Sequence, residues 1–310
     1  MQNIYEATAS NKQKSWFVVG VFLIFAAVSI YILSQAFSVY LGYEPGGLGI
    51  VGVALIISGF MSFGSYYFSD RIILSISRAR PADRKRDFDF FTVAENLSIA
   101  SGLPVPRLYV IDDTAMNAFA TGRDPKHAVV VATTGLLAEL NRTELEGVVA
   151  HELSHVKNYD TRLMSVVAVM VGTVALLGDM FLRMSYYGRR DSSDRKSGQL
   201  GIIIIVVGII FAILSPVIAK LIQLAISRRR ELLADASAVA ITRQPSGLIS
   251  ALKKLGGDRE PLEAANKATA HMYIVSPFLG KKEGAVSKFA GLFNTHPPLA
   301  ERILALEKMR

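Results

Sequence analysis

His151, Glu152 and His155 stand in the order H-E-x-x-H, a spacing that can hold a metal ion and activate water beside it. Residues four apart on an α-helix share a face, so both imidazoles can reach one ion. Glu152 lies at the edge of that face, where it can take a proton from a metal-bound water. With 5 His in 310 residues, accidental matches come to roughly 0.003 per chain, so chance explains the pattern poorly. The competing reading is an amphipathic helix carrying two histidines of no special role. Cysteine is absent, which excludes thiolate ligands, disulfides and a cysteine nucleophile.

A helix to carry the three residues is well signalled. Asn141 with Glu144, or Thr143 with Glu146, offers an N-cap and a carboxylate three residues later. Leu145, Val148, Val149, Leu153 and Val156 follow at helical spacing as a core-facing stripe. Gly147 interrupts the run at a cost of about 1 kcal/mol relative to alanine, unless a close packing partner needs it.

Two histidines do not complete a catalytic zinc site, which takes three protein ligands and leaves one position open. His127 reads as a surface loop residue before a strand, and His271 as structural. Glu231 is the better candidate. It shares a helical face with Asp235, as a ligand and its supporting carboxylate need. Two acids at that spacing are, taken alone, more often a solvated face.

The surrounding elements are partly hydrophobic in the extreme. The chain is 51% hydrophobic and 19% charged, with a mean hydropathy of +0.35. The excess is local: Trp16–Phe37 and Leu48–Phe68 carry no charge and are long enough to span about 30 Å of hydrocarbon. The first of them reads as a retained anchor rather than a removable signal. Leu163–Leu182 holds one charge, Asp179, and Leu200–Ala219 none. The third segment begins about two turns after His155, so it either crosses the bilayer or rises from the site.

Lys12 and Lys14 precede the first segment, residues 38–47 have no Lys or Arg, and Arg71, Arg78, Arg80, Arg84, Lys85 and Arg86 follow the second. This asymmetry puts the N-terminus and the region after Phe68 in the cytoplasm. Arg183, Arg189, Arg190, Arg195 and Lys196 lie between the third and fourth segments, so that hairpin either crosses against the rule or only dips into the bilayer. The net charge of +8 sits beside membrane segments, without the aromatic-interleaved basic motifs of nucleic-acid binders.

The expected organisation is a two-helix membrane anchor over 1–70, a first catalytic part over 71–162, a second hydrophobic hairpin over 163–222 and a second catalytic part over 223–310. The soluble parts read as α+β and mostly helical. A helix around Phe90–Ala100 is closed by Gly102 and Pro104, and Arg107–Ile111 and Ala128–Ala132 are strands, with a weaker one at Ala115–Thr121.

Beyond the H-E-x-x-H run, three further marks stand out. They are Asn117-Ala118-Phe119-Ala120-Thr121-Gly122, Arg228-Arg229-Arg230-Glu231 leading into Ala234-Asp235, and Thr295-His296-Pro297-Pro298 with Glu301-Arg302-Ile303. With the order of hydrophobic segments, the chain resembles the HtpX family of integral membrane zinc metalloproteases, relatives of the CAAX prenyl proteases. The resemblance implies a multi-span membrane protein with a cytoplasmic zincin-type domain. It makes Glu231 the third ligand to one Zn²⁺ and Asp235 the partner of a ligand histidine. Asn117 would lie on a strand bordering the substrate groove, and His296 near the scissile carbonyl. The implied activity is endoproteolysis of misfolded or damaged membrane proteins, with the lipid bilayer and protein or peptide substrates as partners. The alternatives are a CAAX-type prenyl-protein endopeptidase and a non-enzymatic membrane scaffold with a structural zinc.

Overall fold

The computed structural model describes residues 11–21, 66–170, 228–265, 269–275 and 297–309, together with individual positions between 9 and 64. Most of the four hydrophobic segments, the basic residues 183–196 and His296 lie outside the described residues. Among the described residues, no helix is both long and apolar enough to cross a membrane.

In chain order the elements are α1 (Ser69–Ile76), β1 (Arg80–Pro81), α2 (Phe88–Ser101), β2 (Arg107–Ile111), β3 (Ala118–Thr121), β4 (Val129–Thr133), α3 (Thr134–Glu139) and α4 (Arg142–Lys157). They continue with α5 (Arg228–Thr242), α6 (Pro245–Gly257) and α7 (Leu299–Glu307). The result is a mostly helical α+β fold around one small sheet.

The sheet runs β1-β2-β4-β3. β2 and β4 are parallel, with Arg107 opposite Val129, and β3 folds back antiparallel to β4, with Phe119 opposite Val131. Thus the weak strand between the two strong ones in sequence is an outer strand in space. It is also shorter than Ala115–Thr121. The N–H groups of Ala115, Met116 and Asn117 go to the side chains of Asp113, Asp258 and Thr133, so the regular strand begins only at Ala118. β4 is displaced by one residue from Ala128–Ala132, because Thr133 ends the strand and caps α3 by accepting from the Leu136 N–H.

β4 is buried along its whole length, as expected of a central strand covered on both faces. Its alternate residues feed two cores. Val130 and Ala132 join Phe90, Val148, Leu153, Leu252 and Leu306 on one side. Val129 and Val131 join Val18, Ile73, Phe119, Leu163 and Val167 on the other. The first core therefore combines residues from before and after the long hydrophobic stretch.

α4 is held where it starts. Of the two possible caps the chain uses Asn141 with Glu144, in a reciprocal capping box. Glu144 also accepts from Ser250 Oγ at 2.6 Å and Lys254 Nζ at 2.8 Å, both on α6. Gly147 explains itself here. A Cβ at 147 would stand 2.6 Å from the Leu248 backbone nitrogen, and one at Gly247 would stand 2.4 Å from the Thr143 carbonyl oxygen. The two glycines let α4 and α6 pack backbone to backbone. Gly147→Ala should therefore destabilise the fold, since overpacking of about 1–3 kcal/mol exceeds the propensity gain of about 1 kcal/mol. Denaturant unfolding measures this; a more stable variant would contradict the close crossing.

Candidate metal centre

The face of α4 that carries His151, Glu152 and His155 is buried, and α5 packs against it. The two Nε2 atoms are 3.2 Å apart. From α5, Glu231 brings Oε1 to 3.5 Å from His155 Nε2 and Oε2 to 3.7 Å from His151 Nε2. One donor atom from each residue lies within 4.8 Å of the other two. Donors about 2.0–2.1 Å from one tetrahedral zinc stand about 3.3 Å from each other, so these separations suit one small ion.

The ring orientations are set from behind. Asp235 Oδ1 is 2.9 Å from His151 Nδ1, and Asp160 Oδ2 is 3.0 Å from His155 Nδ1. A carboxylate only accepts, so each Nδ1–H donates and each Nε2 turns its lone pair to the centre. Two acceptor nitrogens facing one another at 3.2 Å need positive charge between them, which a proton or a metal ion supplies.

The charges agree. When ionised, Glu152, Glu231, Asp160 and Asp235 face two guanidiniums, Arg230 and Arg302, leaving two negative charges that a divalent cation would balance. Burial pushes the His155 imidazolium down, but the Asp160 hydrogen bond and the charges of Glu231, Asp160 and Glu152 outweigh it and raise His155 to about 9. Without a metal, the site thus favours a cation at this place. For His151, burial and the Arg302 charge lower the pKa despite Asp235.

Glu152, next to His151 on α4, is 2% exposed, and the Ala120 backbone amide of β3 favours its charged form. Burial, with the Glu231 charge and against His155 and Arg302, pushes its carboxyl up to about 7. That suits a group that takes and returns a proton near neutrality.

Two participants escaped the sequence reading. Asp160 follows α4, where Tyr159 adopts φ 59° and turns the chain so that Asp160 reaches back to His155. A tyrosine does not announce a left-handed turn. Arg302 on α7 is 0% exposed. It holds Asp235 with two bonds, Nε to Oδ2 at 2.8 Å and Nη2 to Oδ1 at 2.7 Å, and its Nη1 donates to the Ile274 carbonyl at 3.2 Å. Its presence in the Glu301-Arg302-Ile303 mark was the available signal, but an arginine on a short amphipathic helix otherwise reads as solvated.

Among the described residues, the other two histidines, His127 and His271, stand outside the cluster. His127 is exposed and paired with Asp124 at 2.7 Å. His271 is buried, with Nε2 3.2 Å from the Met164 carbonyl oxygen. Asn117 stands just before β3. Its Nδ2 donates to the Val275 carbonyl at 3.0 Å, and its Oδ1 accepts from the Ala118 and Val275 N–H groups.

An HExxH helix joined by a glutamate from a later helix, over a small sheet, offers the donors and the base that a metallopeptidase needs. The model of peptidase family M48 matches residues 85–310. A "Protease HtpX homolog" of Dictyoglomus turgidum is 47% identical over 305 residues, covering 98% of this chain and 94% of the relative. Another of that name, from Caldanaerobacter subterraneus, is 39% identical over 313 residues, covering 99% and 98%. Among solved structures, that of S. mikatae Ste24p aligns with a TM-score of 0.47 at 19% identity, over 95% of this chain and 67% of that one. The chain belongs to peptidase family M48, with the HtpX proteases as relatives along nearly its whole length.

Proposed function

We propose that the protein is a membrane-embedded, multi-pass zinc endopeptidase whose site opens at the cytoplasmic face and acts on misfolded or damaged membrane proteins. The observation that carries the metal reading is the convergence of His151, His155 and Glu231, with a carboxylate behind each imidazole. The uncharged segments Trp16–Phe37 and Leu48–Phe68, with basic residues on one side of each, support the anchor and its orientation. The reading divides the chain as the sequence does: anchor over 1–70, hairpin over 163–222 and catalytic parts over 71–162 and 223–310.

In this reading His151, His155 and Glu231 hold one Zn²⁺. A zinc ion so held polarises the peptide carbonyl and lowers the pKa of bound water towards about 7. Glu152 accepts the proton of the attacking water and passes it to the leaving amine. Asp235 and Asp160 keep the two imidazoles in the tautomer that presents Nε2. Asn117 serves the groove by holding Val275 beside β3, and His296 donates to the developing oxyanion.

Competition with a chelator tests the ligand set. Glu231→Ala should lose zinc at chelator concentrations the parent withstands, and Asp235→Ala should bind about 10–100-fold more weakly. Equal retention by the parent and Glu231→Ala would remove Glu231 from the set. The substrate class is tested by comparing membrane proteomes of cells with the parent and with Glu152→Gln. Damaged membrane proteins should accumulate only in the latter; accumulation of prenylated proteins alone would overturn the assignment.

A further inference from the structure

The first continuous run of described helical residues, 11–21, leads into the first hydrophobic stretch and forms its beginning, far from the metal centre in sequence. They dock on the turn that ends α4. Lys12 Nζ lies 4.3 Å from the centre of the Tyr159 ring, and the Arg162 guanidinium lies 5.2 Å from that of Trp16. Val18 joins the buried cluster that contains Leu163 and Val167.

Asn11 is buried in this contact, 2% exposed. Its Nδ2 donates to Asp160 Oδ1 at 2.7 Å and to the Asn158 carbonyl at 3.0 Å. Its Oδ1 accepts from Arg230 Nη1 at 3.2 Å. These partners settle which way the amide points, since the nitrogen faces two acceptors and the oxygen a guanidinium. Asp160 spends its other oxygen on His155 Nδ1, and Arg230 precedes Glu231 on α5. One amide thus spans the two helices that carry the candidate ligands. It also satisfies a carbonyl left open at the C-terminus of α4, next to the left-handed Tyr159.

We propose that Asn11 is a positioning residue of the metal centre, tying Asp160, and through it His155, to Arg230 and the helix of Glu231. The segment ahead of the first hydrophobic stretch is then part of the active site, and the anchor and the site are ordered together. The inference rests on the zinc reading above.

The test uses the full-length protein with Asn11→Ala, Asn11→Asp and, as a docking control, Trp16→Leu. Asn11→Asp keeps the volume but turns a donor into an acceptor facing Asp160. Zinc affinity is read by chelator competition, beside kcat and KM for a peptide at saturating zinc. Both Asn11 variants should bind zinc about 10–100-fold more weakly and lose kcat with KM unchanged, while Trp16→Leu retains the parent's zinc affinity. A merely structural asparagine would lower thermal stability and leave zinc affinity at the parent's value, which would overturn the proposal. Equal weakening by Trp16→Leu would also overturn it, by assigning the effect to docking. If His155→Ala binds zinc as the parent does, the zinc reading itself fails and this inference with it.

Discussion

Glu152→Gln is expected to keep its metal and to lower peptide cleavage by about 10²–10⁴-fold, the range that general acid–base catalysis contributes. The substitution preserves the size and shape of the side chain. What it removes is a carboxyl that burial has brought to about 7, placed beside the cluster without belonging to it. The three candidate ligands and both carboxylates behind the imidazoles are untouched. Zinc analysis and a cleavage assay on the same preparation separate the two roles. Substantial turnover by Glu152→Gln would show that another group moves the proton.

Arg302→Met is expected to destabilise the protein by about 3–5 kcal/mol, as breaking a buried ion pair from one side does. Arg302 and Asp235 are both almost wholly buried, and they meet through two short parallel bonds. Burial opposes the charge on each, yet their mutual attraction keeps Asp235 below the usual carboxylate range and Arg302 above its own. Removing the guanidinium leaves Asp235 charged and under-partnered, and leaves the Ile274 carbonyl without its donor. Because Asp235 also holds His151, weaker zinc binding should accompany the lost stability. Unfolding of Arg302→Met beside Arg302→Met/Asp235→Leu measures the pair, and the double variant should recover part of the loss. A single variant as stable as the parent would mean that the bidentate pair contributes little.

What the sequence made legible depended on how local each determinant is. α4 was readable because its cap, apolar stripe and metal-binding spacing all lie within 142–157 or one residue before it. β2 was readable to the residue, since Arg107–Ile111 is a short apolar run beside a glycine-proline boundary. Glu231 and Asp235 were ambiguous, because two acids on one helical face look alike whether solvated or buried against two histidines. Only the packing of α5 on α4 decides between these. Asp160 depends on the backbone of Tyr159, and Arg302 on a partner 67 residues away. Gly147 was visible as an interruption, but its purpose lies in Leu248 on another helix.

The central claim is that His151, His155 and Glu231 form one zinc site that hydrolyses peptide bonds. Chelator-stripped, full-length protein titrated with zinc, with bound metal and cleavage of an unfolded membrane protein followed together, tests it most directly. Both signals should rise in step and saturate at one zinc per chain, and Glu231→Ala should show neither over the same range. Cleavage by the stripped protein, or full activity in Glu231→Ala at the same zinc concentration, would contradict the account.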